Sequence, residues 1–261
     1  MRKFKKLKEK RLKGKKNKKV LVFATVALLF FLFLSFIFFI FKLQSLKKFA
    51  YVSNKDGNVE IIIVDSQKDK YLKMLISKDF NLESSRNYGQ YEIGNLWILG
   101  QKDGFKGKLI AETVTKNFSI PIFLWKDGRS SNLNLLQRLK SIIVQKELTE
   151  YDYVLKTVNT PDTVLVNFID SEMEFVSPKL EMVDLTGSNS LAKNIVNILG
   201  VYGVKTTSYS KGYDENLDCE VSGFNQYLVD TVVKIFSCEK KEKDVNVDLR
   251  IRIGKVFADR F

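Results

Sequence analysis

The feature that most constrains this chain is an uncharged, apolar run near its start. Val20–Phe41 contains 22 residues without a charged side chain, and Thr25 and Ser35 are its only polar interruptions. At 1.5 Å per residue, a helix of this length is about 33 Å long, enough to cross a hydrocarbon core of about 30 Å. The run therefore predicts a transmembrane helix over residues 20–41.

Lysines and arginines crowd the segment before this run. Residues 1–19 hold twelve of the 43 Lys and Arg residues and one of the 30 Asp and Glu residues, so the rest of the chain has a net charge of only +2. Lys42, Lys47 and Lys48 follow the run. Because the more basic flank stays inside, we expect a cytoplasmic tail, one pass through the cytoplasmic membrane and an outer portion beyond it.

Two alternatives to this topology stay open. A cleaved signal peptide has an apolar region of about 7 to 15 residues and a small-residue cleavage site, whereas this run is longer and rich in Phe to its end. A basic tail can also bind nucleic acid through phosphates. Beside a predicted membrane helix, topology and attraction to anionic lipid are the better interpretation.

The residue types that are absent exclude several kinds of chemistry. The chain has no histidine, which excludes Ser-His-Asp and Cys-His catalysis and every zinc site with a histidine ligand. Neither G-x-G-x-x-G nor G-x-x-x-x-G-K-[ST] occurs, so neither standard phosphate-binding loop is present. The two cysteines, Cys219 and Cys238, predict a structural disulfide outside the cell, with two free core thiols as the alternative.

Hydrophobic patterns divide the outer portion into two small α/β domains, over residues 50–170 and 178–261. In the first, β-branched runs at Val59–Val64 and Tyr71–Ile76 flank a polar turn and predict a hairpin. The other predicted elements of this domain are helices over 106–118 and 133–144 and strands over 120–125 and 163–168. Trp97 and Trp125 are expected in its core.

The second domain alternates strands and helices more regularly. Its predicted order is β-α-β-β-α-β, over 180–185, 190–199, 204–209, 219–221, 225–236 and 245–253. In the last strand apolar residues alternate with polar ones, so Arg250 and Arg252 are interpreted as solvent-facing. The predicted fold class is α/β, with one N-terminal transmembrane helix followed by two extracytoplasmic α/β domains.

The second domain resembles the C-terminal domain of LytR-type envelope proteins. Leu180–Gly187 forms a strand and polar turn, Ser190-Leu191-Ala192 opens a helix, and the last strand ends in Gly254. Asp184 stands where that pattern has Asn, and Asn189-Ser190 where it often has Gly. The resemblance implies a module that acts in the cell envelope.

The first domain resembles the LytR-CpsA-Psr catalytic domain. The hairpin, Ile76-Ser77-Lys78-Asp79, Tyr88-Gly89, the next helix and Ser119-Ile120-Pro121 follow the order of elements in that family. Its members transfer glycopolymers from polyprenyl-pyrophosphate carriers to the cell wall, with a divalent metal such as Mg²⁺. The resemblance implies that Asp79 holds the metal and that Lys78 and Arg86 face the phosphates. The simpler interpretation is that Lys78 and Asp79 are surface charges.

Departures from the family pattern affect this site. Ser77 replaces its proline and Lys78 its arginine, and the upstream Arg-Ser-Asp-Thr element has no counterpart before Glu60. A guanidinium binds pyrophosphate through two parallel hydrogen bonds, whereas a lysine offers one point charge. We therefore expect a non-catalytic envelope protein that binds wall polymer or another envelope protein. The alternatives are a transferase that moves glycopolymer from its polyprenyl-pyrophosphate carrier and a membrane-tethered nucleic-acid binder.

Overall fold

Two compact units divide the chain, Met1–Leu46 and Lys47–Phe261. The computed structural model describes residues 25–26, 28–35, 37–39, 48–65, 70–148, 150–157, 177–188, 190–242 and 246–261. Those described before residue 40 are helical, and the rest of the predicted 20–41 span, like the tail at 1–19, lies outside the described residues. No helix among the described residues is long and apolar enough to cross a membrane.

The first half of the larger unit is built on a mixed sheet of six described strands in the order β7-β6-β1-β2-β3-β8. Its strands are β1 (Phe49–Lys55), β2 (Asn58–Asp65), β3 (Lys70–Ile76), β6 (Leu124–Asp127), β7 (Ser130–Ser131) and β8 (Tyr153–Leu155). β1, β2 and β3 form an antiparallel meander, while β6 runs parallel to β1 and β8 parallel to β3. A separate hairpin pairs β4 (Asn81–Glu83) with β5 (Gln90–Glu92).

Helices cover both faces of this sheet because its central strands are apolar on both sides. The helices are α1 (Asn95–Lys102), α2 (Lys108–Phe118) and α3 (Leu135–Glu147). Ile61 and Ile63 of β2 pack in a core with α1 and α2, whereas Ile62 and Val64 pack with Val144 of α3. The run Val59–Val64 is therefore buried on both faces, as continuous apolar strands are.

Most predicted elements of this half are confirmed, with shifts that have physical causes. The hairpin of β2 and β3 and the two amphipathic helices are present, and Trp97 and Trp125 are buried in the core. The strand predicted over 120–125 begins only at Leu124, since Pro121 has no backbone N–H to donate to a ladder. The strand predicted over 163–168 lies outside the described residues.

The second half is built on five described strands in the order β10-β9-β13-β11-β12. Its elements are β9 (Lys179–Asp184), α4 (Leu191–Gly200), β10 (Lys205–Lys211), β11 (Cys219–Ser222), α5 (Gln226–Phe236), β12 (Glu239–Lys240), β13 (Leu249–Ile253) and α6 (Lys255–Arg260). β9 lies between two parallel neighbours, β10 and β13, and β11 runs antiparallel to β13. The predicted β-α-β-β-α-β order is confirmed, but the strand predicted over 245–253 begins only at Leu249. β12 and α6 are additional.

One face of this second sheet packs against helices and the other faces solvent. Residues of α4, α5 and α6 share a core with alternate residues of β9 and β13, among them Met182 and Ile251. On the opposite face Arg250 Nη2 lies 2.7 Å from a carboxylate oxygen of Glu181, and Arg252 pairs with Glu220. The half-exposed arginines confirm the predicted solvent-facing side of the last strand.

A disulfide joins Cys219 of β11 to Cys238, which follows α5. The Cα atoms of the two cysteines are 4.6 Å apart, and both side chains are buried in the core of the second half. The bond therefore ties a central strand to the chain between α5 and β12. The predicted structural disulfide is confirmed.

Removal of this disulfide is expected to destabilise the protein. Replacing both Cys219 and Cys238 by alanine should lower the free energy of unfolding by about 3 kcal/mol, because the bond restricts the unfolded chain. Urea unfolding of the full chain, followed by fluorescence of the buried tryptophans, measures this change. The wild-type protein unfolded in reductant is the control. Alkylation of both cysteines in the non-reduced protein would contradict the bond.

Candidate functional site

Lys78 and Asp79 lie in the turn between β3 and β4. The Lys78 N–H donates to Asn58 Oδ1 at 2.9 Å, and its carbonyl accepts from the Gly94 N–H at 2.9 Å. A Cβ atom at Gly94 would lie 2.8 Å from the Lys78 Cβ atom, so the start of the Lys78 side chain packs closely on this backbone. Both Lys78 and Asp79 are exposed. The Lys78 backbone is thus hydrogen-bonded at both its N–H and its carbonyl, and Asp79 is exposed to solvent.

Arg86, the third predicted site residue, forms an ion pair with the buried carboxylate of Glu112. Its Nε and Nη2 atoms each donate to Glu112 at 2.7 Å, and its guanidinium lies 4.2 Å from the Phe105 ring centroid. Arg86 has φ of 63°, and its backbone N–H donates to the Arg260 carbonyl. The charge that was expected to face phosphates is therefore paired within the fold.

The structure gives Asp79 no cluster of metal-binding side chains. Among the residues that the structure describes, no group of three or more His, Cys, Asp or Glu side chains could hold a metal ion. Mg²⁺ is commonly held by one or two carboxylates together with substrate phosphates. Asp79 supplies one such carboxylate, and its assignment as a metal ligand stays a prediction.

A second buried carboxylate, Glu60, lies on the α3 side of the first sheet. The Tyr151 hydroxyl donates to Glu60 at 2.8 Å, and the Nζ atoms of Lys73 and Lys55 lie 3.3 and 3.8 Å from the same oxygen. Burial, followed by the hydrogen bond to Glu60, raises the pKa of Tyr151 to about 12. The charge on Glu60 is compensated by these neighbours, so the cluster presents no free reactive group.

The carboxyl ends of three parallel strands meet at one edge of the second sheet. β9 ends at Asp184, and its parallel neighbours β10 and β13 end at Lys211 and Ile253. β10, the next strand along the chain, pairs with one edge of β9, whereas β13 pairs with the other edge. In open α/β sheets, ligands bind outside the carboxyl ends of strands at such a change of direction.

A hydroxyl-rich loop surrounds the buried carboxylate of Asp184 at this edge. The Thr186 hydroxyl and N–H donate to Asp184 Oδ1 at 2.7 and 3.1 Å, and the Tyr209 hydroxyl donates to Oδ2 at 2.8 Å. Ser188 follows, with its N–H donating to Thr186 Oγ1 at 2.9 Å and its hydroxyl 3.4 Å from that of Ser190. The Asp184 carboxylate thus holds Thr186 by hydrogen bonds, and Thr186 in turn holds Ser188.

Two tyrosine rings border this loop and face solvent. Tyr209 of β10 is 44% exposed, and Tyr213, just after β10, is 64% exposed. Gly187 has φ of +74°, a backbone conformation that favours glycine, and a Cβ atom there would lie 3.3 Å from the Tyr213 ring. Glycine therefore allows both the turn and the close approach of the ring. We call Ser188, Ser190, Tyr209 and Tyr213 the carboxyl rim, and the buried Thr186 holds its loop in place. It combines apolar ring faces with hydroxyl donors and acceptors, which suits a polar ligand with apolar faces.

The two tyrosines of the carboxyl rim were missed in the sequence. In the sequence, Asp184–Gly187 belongs to the family resemblance, and Tyr209 is the last residue of a predicted strand. A parallel arrangement of the strands ending at Asp184 and Tyr209 would have placed both residues at one edge. The order of the strands in the sheet supplies that information, and the local pattern does not.

No protein-family model matches this chain, and no curated protein or solved structure matches it either. The resemblances to the LytR-type C-terminal domain and to the LytR-CpsA-Psr domain therefore stay predictions. The carboxyl rim is defined here by its geometry alone.

The buried pair of Arg86 and Glu112 should be important for stability. Glu112→Gln is expected to lower the free energy of unfolding by about 3 kcal/mol, because it leaves a largely buried guanidinium without its counter-charge. Urea unfolding of the single variant and of the double variant Arg86→Met/Glu112→Met tests this. The double variant should recover much of the loss. A single variant as stable as wild type would contradict the role of the pair.

Tyr209 should make stability depend on pH in the alkaline range. Burial, followed by the hydrogen bond to Asp184, raises its pKa from 10.0 to about 12. The folded state keeps a proton that the unfolded state loses, so this stabilisation is present below pH 10 and is lost as the pH rises towards 12. Unfolding measured from pH 9 to 12 should show a shallower decline for Tyr209→Phe than for wild type. Tyr213→Phe, which changes an exposed tyrosine, is the control, and an unchanged decline for Tyr209→Phe would contradict the assignment.

Proposed function

We propose that this protein is a membrane-anchored, extracytoplasmic cell-envelope protein that binds a wall glycopolymer at the carboxyl rim without catalysing its transfer. The observation that carries this proposal is the pair of exposed rings, Tyr209 and Tyr213, beside a loop of hydroxyl groups. The apolar faces of sugar rings stack on aromatic side chains, and sugar hydroxyls exchange hydrogen bonds with hydroxyl groups.

The disulfide between Cys219 and Cys238 supports the extracytoplasmic location. Disulfides form and persist mainly in oxidising compartments such as the cell exterior and the bacterial periplasm. The apolar run at 20–41 and the basic residues before it supply the proposed anchor and its orientation.

The environment of Arg86 supports binding rather than transfer. Its guanidinium donates two hydrogen bonds to Glu112, which is itself buried, and stacks on Phe105. Freeing Arg86 for a pyrophosphate would leave the Glu112 carboxylate buried without its closest partner, which costs several kcal/mol. Lys211 on β10, 5.7 Å from the Tyr209 ring, instead places a positive charge beside the carboxyl rim. An anionic, phosphate-bearing wall polymer fits that charge.

Binding to cell-wall sacculi tests the proposal. Full-length protein in detergent should sediment with sacculi that carry phosphate-bearing polymer, and Tyr213→Ala should weaken this binding about fivefold, because the loss of one stacked ring costs about 1 kcal/mol. Sacculi stripped of that polymer with hydrogen fluoride should bind less protein.

Tyr227→Ala is the matched control, since Tyr227 on α5 is also partly exposed, at 38%. It should bind sacculi as wild type does. Equal binding by Tyr213→Ala and wild type would remove the carboxyl rim from the interaction. If the protein bound neither the intact nor the stripped sacculi, the proposed function would be refuted.

A further inference from the structure

Helix α3 buries one side on the first sheet and turns four aliphatic residues to the other side. Ser141 and Val144 are its buried residues. On the opposite side, at positions i, i+4, i+7 and i+8, lie Leu135, Leu139, Ile142 and Ile143. Leu139 is half-buried, whereas Leu135, Ile142 and Ile143 are 70%, 48% and 42% exposed. We call these four aliphatic residues the α3 stripe.

The spacing of the α3 stripe is the one that a surface helix normally uses to face its own core. In this helix the same spacing faces solvent, so the apolar periodicity that predicted the helix records a surface outside the core of the sheet. Single exposed aliphatic residues are common on proteins, but a contiguous apolar patch marks a site of interaction. The α3 stripe is therefore a candidate docking surface.

Positively charged side chains accompany the α3 stripe. The charged residues of α3 are three bases and one acid, namely Arg138, Lys140, Lys146 and Glu147. Arg138 and Lys146 are exposed. The Nε and Nη2 atoms of Arg138 donate to the carbonyls of Leu133 and Ser131, each at 2.9 Å. Because these acceptors are neutral, the guanidinium keeps its net positive charge near the start of the stripe.

These charges disfavour a second copy of the chain as the occupant. A parallel pairing of two α3 helices would bring Lys146 of one chain opposite Lys146 of the other, and like charges repel. An antiparallel pairing would bring Lys146 opposite Leu135 of the other copy, at a helix N-terminus that carries a positive partial charge. An anionic lipid surface avoids both conflicts, since its acyl chains accept the aliphatic residues and its phosphates attract the bases.

The chain is short between the proposed membrane anchor and the core beneath α3. The predicted transmembrane helix ends at Phe41, and β1 begins at Phe49, eight residues later. Eight residues span at most about 28 Å when fully extended. Phe49 packs in the same core cluster as Leu133, just before α3, and Val144 of α3. A lipid surface is therefore an available occupant, and this step rests on the anchor in the proposed function.

We propose that α3 is an interfacial helix, with the α3 stripe inserted among the headgroups and outer acyl segments of an anionic membrane. Arg138 and Lys146 lie beside the inserted residues and pair with lipid phosphates. Interfacial helices bury their apolar side about 5–10 Å into this region. The contact gives the first sheet a fixed orientation at the membrane surface, and it does not require polymer binding at the carboxyl rim.

Quenching by lipid in proteoliposomes tests the contact. The full-length variant Ile142→Trp is reconstituted into vesicles of phosphatidylglycerol and phosphatidylcholine, with bromine on the acyl chains of the phosphatidylcholine. Its added indole should emit at shorter wavelength and lose most of its intensity, because it leaves water for the acyl region. Both leaflets have the same composition, so the direction of insertion does not affect the result.

Ile98→Trp is the matched control. Ile98 is also an exposed isoleucine on a helix, but α1 packs against the opposite face of the same sheet. The added indole of this variant should stay unquenched. Trp97 and Trp125 are buried and supply a common background, which wild-type protein in the same vesicles measures.

Two further changes in the Ile142→Trp protein separate the charged and apolar contributions. Lys146→Glu should lower the ratio of docked to undocked α3 at least about fivefold, the effect of about 1 kcal/mol for one lysine at an anionic surface. In vesicles of phosphatidylcholine alone it should have little effect. Leu135→Ser/Ile143→Ser should reduce quenching in both kinds of vesicle, and thermal unfolding checks that this variant remains folded.

Three results would overturn the inference. Equal quenching of Ile142→Trp and Ile98→Trp would exclude the contact. Protection of the added indole in detergent that increases with protein concentration would identify a second copy as the occupant. Extraction with alkaline carbonate distinguishes the two proposals. If the protein stays in the vesicles with an unquenched indole at position 142, only the α3 contact is refuted. If carbonate releases the protein, the proposed anchor is refuted, and the inference is refuted with it.

Discussion

Glu112 carries the contact on which the arrangement of the larger unit depends. It is buried on α2, accepts both guanidinium hydrogen bonds of Arg86 and accepts a third from the Ser237 hydroxyl at 3.2 Å. Ser237 follows α5, so one carboxylate joins the two halves of the unit. A buried charge of this kind is tolerated only with its partners in place, which makes the relative position of the halves specific.

Further contacts between the halves surround that carboxylate. The Arg86 N–H donates to the Arg260 carbonyl, the Asn194 side chain bonds to Ser119 and to the Lys116 carbonyl, and Val201 packs in the core of the first half. The two predicted domains, 50–170 and 178–261, thus lie in one compact unit, and their boundary falls outside the described residues. Arg86 takes part in these contacts between the two halves. This explains why the residue that was expected to bind phosphate is instead paired within the protein.

Local sequence patterns predicted much of the fold where one physical signal was strong. The alternation in β13, the helical periodicity of α4 and α5 and the apolar run of β2 each record burial on a defined face. The sequence analysis did not predict β1, although Asp56-Gly57 before β2 is a typical hairpin signal. Both residues have positive φ, as a tight turn between antiparallel strands requires. The start of the strand at 120–125 was wrong because Pro121 interrupts the ladder.

By itself, the sequence determined the α/β class, the amphipathic elements and the excluded histidine chemistry, because these depend on composition and on neighbours along the chain. Only the tertiary structure decided which charges are free and which residues share a surface. Arg86 looks like a phosphate ligand until Glu112, 26 positions away, is seen beside it. Asp184 and Tyr209 meet only because β9 and β10 pair in parallel across a helix, and such pairings depend on contacts between residues distant in sequence.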